Sequence, residues 1–267
     1  MSLDALYNGI RGEIEKVIYG QDETVCFALA GLFSSGHVLL EGPPGTAKTL
    51  LVRTLAGALK MQYRRVQMTP DLLPGDITGS AVYREATHDF EFRRGPIFTN
   101  FLLADEVNRA SARTQSAMLE AMQELSVTQD GVTHRLPDPV ITVATQNPIE
   151  QEGTYPLPLA QLDRFMFKVL VDYPDGEQEE RVLREHHATG SSTDPSHMQI
   201  KPVVEPSDIL AARQTIRETF VREEVIGYVR RLLQTTRRHD SLAVGASPRA
   251  GLMLLMGAKS LARFDGR

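Results

Sequence analysis

The chain of 267 residues is 42% hydrophobic and 24% charged, a globular composition with enough apolar material for one large domain or a large and a small one. A formal net charge of −5 gives no general attraction to nucleic-acid phosphates, and the single cysteine, Cys26, excludes an intrachain disulfide and a cysteine-rich zinc site. No apolar run approaches the ~20 residues that span a bilayer, and the acid-interspersed start "MSLDALYNGIRGEIEKV" is not a signal peptide, so a cytoplasmic location is expected.

Leu3, Leu6, Ile10, Ile14 and Val17 recur at helical spacing, predicting an amphipathic helix at the start. "YGQDE" breaks it, and a second apolar helix reaches about Phe33, with Cys26 as a packed thiol. His37–Glu41 (HVLLE) reads as a short buried strand entering the glycine loop "GPPGTAKT". Lys48–Lys60 follows as a helix with Leu51, Leu55, Ala58 and Leu59 inward. Further strands of a buried parallel sheet are expected at Tyr63–Met68, Phe101–Asp105 and Val140–Thr145, the last two as nearly continuous apolar runs. Two hairpins are expected between them: "ITGSAVYREATHDFEFRRGPIF", with its tip at Ala86-Thr87-His88, and "LSVTQDGVTHRLPDP", turning at Asp130-Gly131. After Val171 the pattern becomes helical. A helix opens in "DYPDGEQEE", "HHATGSSTDPSHMQIKP" is a polar loop, Ser207 is expected to cap a helix, and Val221–Arg237 forms another. The expected division is an α/β core over residues 1–172 and a smaller helical domain over residues 173–267.

Strand, glycine loop and helix in succession place unpaired backbone N–H groups and a helix dipole where an anion can meet them. Gly42 and Gly45 would let the backbone turn and approach phosphate oxygens. Lys48 would reach the β- and γ-phosphates, and the Thr49 hydroxyl would bind Mg²⁺. The expected phosphate-binding set is Gly42, Pro43, Pro44, Gly45, Thr46, Ala47, Lys48, Thr49 and Leu50. Ala47 stands where a glycine is usual, and right-handed helical dihedrals would suit it. A loop that caps a helix and binds nothing is the alternative.

Leu102-Leu103-Ala104-Asp105-Glu106 is an apolar strand ending in two carboxylates. Adjacent strand residues point to opposite sides, so separate tasks are expected: Asp105 for Mg²⁺, Glu106 to polarise a water attacking the γ-phosphate. Asn147, in "TQNP" at the end of the next strand, could hydrogen-bond that water or the γ-phosphate. Arg164, in "LDRF", could pair locally with Asp163 or reach a neighbouring subunit's nucleotide. In "GASPRA", Ser247 caps a helix, Pro248 takes its first position and Arg249 its first turn, where a cation opposes the dipole unless it meets an anion.

Taken in order, the phosphate loop, "LLADE", "TQNP", "LDRF" and "SPRA" resemble an AAA+ ATPase of the MoxR family. "TPDLLPGDITG", "FRRGPIFTNFLLADEVNRA" and "TQNPIEQEGTYPLPLAQLDRF" are especially close, and the likeness covers essentially the whole chain. The resemblance implies a P-loop AAA+ core, a parallel sheet flanked by helices with two β-hairpin inserts, and an all-α lid. It implies a homo-oligomeric ring, expected to be a hexamer, with ATP and Mg²⁺ at subunit interfaces. It makes Asn147 the sensor-1 residue, Arg164 an arginine finger acting in trans and Arg249 the sensor-2 residue; Arg109 and Arg113 rank below Arg164 for the trans role. "VIYGQDE" corresponds to the segment that wraps the adenine, through Tyr19 and Gly20. Family members usually continue beyond "LARFDGR", so truncation of the lid is expected.

The implied function is remodelling or assembly of protein clients, chaperone-like or for metal insertion, often with von Willebrand factor A-domain partners. An ATP-gated scaffold with negligible turnover is a second reading, which intact Glu106, Asn147 and Arg164 argue against. A nucleic-acid motor is a third, disfavoured by the acidic charge and by the lack of an aromatic-basic strip. His186 and His187, with His197, read as solvated rather than metal-binding. Arg230, Arg231, Arg237 and Arg238 read as a solvated face, and Arg93 and Arg94 as candidates for a subunit interface.

Overall fold

A computed structural model of the chain describes residues 2–86, 88–148, 154–189 and 200–267. Helices α1 (Leu3–Ile14) and α2 (Asp22–Phe33) precede β1 (Val38–Glu41), and α3 (Lys48–Ala58) leads into β2 (Tyr63–Gln67). A short α4 (Pro74–Thr78) opens the hairpin β3 (Gly79–Arg84) and β4 (Asp89–Arg94), and β5 (Phe101–Asp105) returns to the sheet. Next come α5 (Ala112–Glu124), the hairpin β6 (Ser126–Gln129) and β7 (Val132–Arg135), β8 (Ile141–Gln146), α6 (Leu159–Leu162) and β9 (Phe167–Leu170). The remainder is helical: α7 (Gly176–Thr189), α8 (Pro206–Glu218), α9 (Glu223–Thr236) and α10 (Pro248–Phe264).

The main sheet is parallel throughout, in the order β2-β5-β8-β1-β9. Alternation along its strands sends side chains into two cores. Val38, Leu40, Leu103 and Val143 meet Ile10, Leu29, Phe33, Leu51 and Leu55 from α1, α2 and α3. On the other face Leu39, Leu102, Ala104 and Ala144 meet Met118, Leu119 and Met122 of α5. Each such large side chain contributes about 1.5–3 kcal/mol by leaving water, enough to hold the strand ends that carry the polar residues below. β2 lies at the edge, with Arg64, Arg65 and Gln67 exposed, so it is not covered on both faces as β5 and β8 are.

The structure departs from the sequence expectations for the elements in two places. Helix α5 was not anticipated: its apolar positions are sparse, though Ser111 caps it by accepting from Thr114 N–H at 3.3 Å. Ser207 does not cap α8. Pro206 takes the first helical position, so the cap falls on Glu205, whose N–H donates to the Asp208 carboxylate at 2.9 Å. Helices α8 and α10 also join the core beneath α1–α3: Ile209, Ala212, Ile216 and Phe264 are buried there. The buried Arg213 ties α8 down further, donating to Leu32 O at 3.0–3.1 Å and to Asp138 Oδ1 at 3.0 Å.

Both expected hairpins are present, and Asp130 (φ 50°) and Gly131 (φ 78°) make the second turn. Thr87 at the tip of the first, His197 and the His186 side chain lie outside the described residues, as do residues 149–153 of the segment after Asn147. Among the described residues no three or more histidine, cysteine and carboxylate side chains cluster as ligands of one metal ion. No helix among them is long and apolar enough to cross a membrane.

Candidate functional site

β1, β5 and β8 end at one edge of the sheet, and their C-terminal ends open into a cavity of ≈ 860 Å³. The phosphate loop from Pro44 to Leu50 forms one wall, and Asp105, Glu106, Thr145, Gln146 and Asn147 form the opposite one. Val17, Ile18, Tyr19 and Gln21 close a third side together with Pro174 and Val182, an apolar slot suited to a flat base. Gln21 Nε2 donates to Thr46 O at 2.8 Å, tying this segment to the loop, and the Arg181 guanidinium lies 4.1 Å from the Tyr19 ring centroid. Gly20 does not line the cavity; it turns with φ 71° beneath the Gln178 side chain.

The loop differs from the sequence reading at two residues. Ala47 has φ 56° and ψ 20°, left-handed rather than right-handed, and it stands at the N-cap of α3 instead of its first helical position. Gly42 is required by packing: a Cβ there would sit 2.1 Å from Val171 O. Gly42 and Pro43 lie behind the cavity wall, and their carbonyls accept from Lys48 Nζ at 2.6 and 2.7 Å. Burial pushes the Lys48 ammonium below its ordinary value, against the opposing pull of Asp105 and Glu106.

The acidic pair is divided by backbone geometry. Asp105 ends β5 and is buried, and Thr145 Oγ1 donates to its Oδ1 at 2.5 Å. Glu106 leaves the strand in a left-handed conformation (φ 57°), anchored by its N–H donating to Thr145 Oγ1 at 2.8 Å. Strict alternation therefore does not hold, and both carboxylates face the same cavity with different partners. Thr49 Oγ1 donates to Asp105 Oδ2 at 3.1 Å, so a hydroxyl and a carboxylate converge, both hard oxygen donors of the kind Mg²⁺ favours.

Two residues that the sequence reading missed join them from β2. Arg65 donates to Asp105 Oδ2 from Nε at 3.0 Å and from Nη2 at 2.7 Å, and Gln67 Nε2 donates to Glu106 Oε2 at 2.6 Å. Arg109 Nη1 reaches the same Glu106 oxygen at 3.0 Å. Polar side chains at i and i+2 near a sheet strand's end were the available signal. Which strand neighbours β5 is a tertiary fact.

Among the described residues Arg164 and Arg249 do not line this cavity. Arg164 Nε donates to Gln123 Oε1 at 2.9 Å rather than pairing with Asp163. Asp163 instead accepts from Ser247 Oγ at 2.6 Å, while Ser247 also caps α10 by accepting from Ala250 N–H. The turn carrying Arg164 and the first turn of α10 carrying Arg249 are thereby pinned together.

Residues 37–167 match the family described as ATPase family associated with various cellular activities (AAA). The chain is 44% identical over 264 residues to the Mycobacterium tuberculosis protein named Chaperone MoxR1, covering 96% of this chain and 68% of that one. It is also 44% identical to the uncharacterized Bacillus subtilis protein YeaC over 256 residues, covering 95% and 78%. A Cytophaga hutchinsonii protein described as an ATPase has a crystal structure similar to this one, with a TM-score of 0.87 and 40% identity, covering 99% of this chain and 83% of that one.

Proposed function

The chain belongs to the MoxR family of AAA+ ATPases, and on that premise we propose that it hydrolyses MgATP at the interfaces of a ring to remodel or assemble protein clients. One observation carries the reading: Thr49 of the phosphate loop and Asp105 of the acidic strand end meet at 3.1 Å in a cavity that Lys48, Glu106 and Asn147 share.

In this reading the base lies against Ile18, Tyr19 and Val182, and the phosphates follow the loop towards Lys48. Thr49 and Asp105 would hold Mg²⁺, which would neutralise phosphate charge. Glu106 accepts the proton of the attacking water, and Asn147 orients that water. Arg164 and Arg249 lie outside the lining of their own cavity, on elements pinned by Ser247–Asp163, which supports both acting on a neighbour's nucleotide. Residues 1–172 would form the nucleotide-binding core and residues 173–267 the lid. The β3–β4 hairpin, with Tyr83 and Phe90 paired and exposed near its tip, would face the client.

A second reading, a nucleotide-gated scaffold with negligible turnover, draws on the protein partners that engage both acids. Steady-state ATPase of the wild type and Glu106→Gln across protein concentration separates the two. The remodeller reading expects specific activity to rise with concentration and Glu106→Gln to lower kcat by at least ~100-fold. Absence of turnover at every concentration would favour the scaffold, and stimulation by DNA would point to a nucleic-acid motor.

A further inference from the structure

Asp105 Oδ2 is the most contested atom of the site. It accepts from Arg65 Nε at 3.0 Å, Arg65 Nη2 at 2.7 Å and Thr49 Oγ1 at 3.1 Å, while Oδ1 is taken by Thr145. The Arg65 fork is steadied from the side by Gln67 Oε1, which accepts from Nη2 at 2.7 Å. A guanidinium and a divalent cation cannot share that oxygen at full strength, because both draw on its lone pairs and they repel each other. The two partners differ in freedom. The Asp105 side chain is 9% exposed and fixed by Thr145, whereas Arg65 is 47% exposed on the edge strand β2, with a solvent route for its head.

We propose that Arg65 competes with the divalent cation for Asp105 Oδ2, so that metal loading requires the guanidinium to swing out. Arg65 is then a positioning residue that sets the metal dependence of nucleotide binding. It pairs with the buried carboxylate when the metal is absent, and so raises the metal threshold. The inference rests on the reading that this cavity takes a magnesium nucleotide, and it adds what decides when the metal enters. Losing one arm of a bidentate ion pair weakens the competition; losing the charge removes it.

The test is binding of a fluorescent N-methylanthraniloyl ATP by the full chain, titrated with MgCl₂ at fixed nucleotide. Arg65→Gln is expected to lower the half-saturating Mg²⁺ concentration about tenfold, and Arg65→Lys about threefold, since an ammonium keeps one contact without the fork. Arg64→Gln removes an equal charge from the neighbouring position of β2, and is expected to leave the half-point where it is in the wild type. An unchanged or raised half-point in Arg65→Gln would overturn the inference, as would an equal fall in Arg64→Gln, which would make the effect one of net charge. Should Arg65→Gln fail to fold, Arg65→Lys carries the test, and an unchanged value there overturns the inference equally. Magnesium-dependent binding by the wild type with unmoved variants defeats the competition alone. No binding by the wild type defeats the functional reading and the inference together.

Discussion

Ala47 closes the phosphate loop at φ 56°, where a Cβ crowds the following carbonyl at a cost of about 1–2 kcal/mol. Glycine would remove that cost and lose part of the gain to the entropy of the unfolded chain. Ala47→Gly is therefore expected to raise stability in urea unfolding by about 1 kcal/mol while nucleotide binding persists; a lower midpoint at equal slope would refute the strain. Gly42 behaves oppositely. Its missing Cβ makes room for Val171 O, so Gly42→Ala should cost about 2 kcal/mol or more in the same measurement. The two small residues of one loop serve different ends, one conformational and one steric.

At the scale of elements, His37 clamps three of them. From the position just before β1 its Nδ1 accepts Thr142 N–H of β8 at 3.0 Å, which leaves Nε2 to donate to Met122 O of α5 at 3.2 Å. Burial pushes the imidazole down from its ordinary 6.5 to about 4. Between those values the unfolded chain binds the proton and the folded one does not, so stability rises with pH across that window. Stability is complete above the unfolded value and is lost as pH falls from about 6.5 towards 4, by up to ~3 kcal/mol. Chemical denaturation at several pH values checks this, and His37→Gln should flatten the slope within that window. A slope the same in both proteins would assign the acid sensitivity elsewhere.

For the whole molecule, the decisive question is where the arginines act. Neither Arg164 nor Arg249 lines the cavity of its own chain, so a site completed by a neighbour predicts complementation. Glu106→Gln and Arg164→Ala, each inactive alone, should recover activity when mixed. Random equal mixing leaves about a quarter of interfaces with both an intact Glu106 and a partner's intact Arg164. No recovery, in mixtures that demonstrably exchange subunits, would place Arg164 in its own chain's site or outside catalysis.

Much of this was legible in the sequence because the signals are local. A strand that must be buried on both faces reads as an apolar run, so β1, β5 and β8 were visible, and so were the loop and the acids that end them. The Asp130-Gly131 turn needs two positive φ values and announces itself by residue type. Helix α5 was hidden because a third of its inner face is polar: Thr114 and Gln115 are buried and hydrogen-bonded, which no hydrophobic period reveals. The tertiary structure alone decided three things: the left-handed turn at Glu106, the pinning of α10 to the Arg164 turn, and the placing of Arg65 on Asp105. Each depends on which backbone lies beside which. Residues 40 positions apart meet because β2 pairs with β5 in parallel register, Gln67 against Asp105. Chemistry at a strand's end is written in that strand's own residues, whereas its control is written in the neighbour that packing supplies.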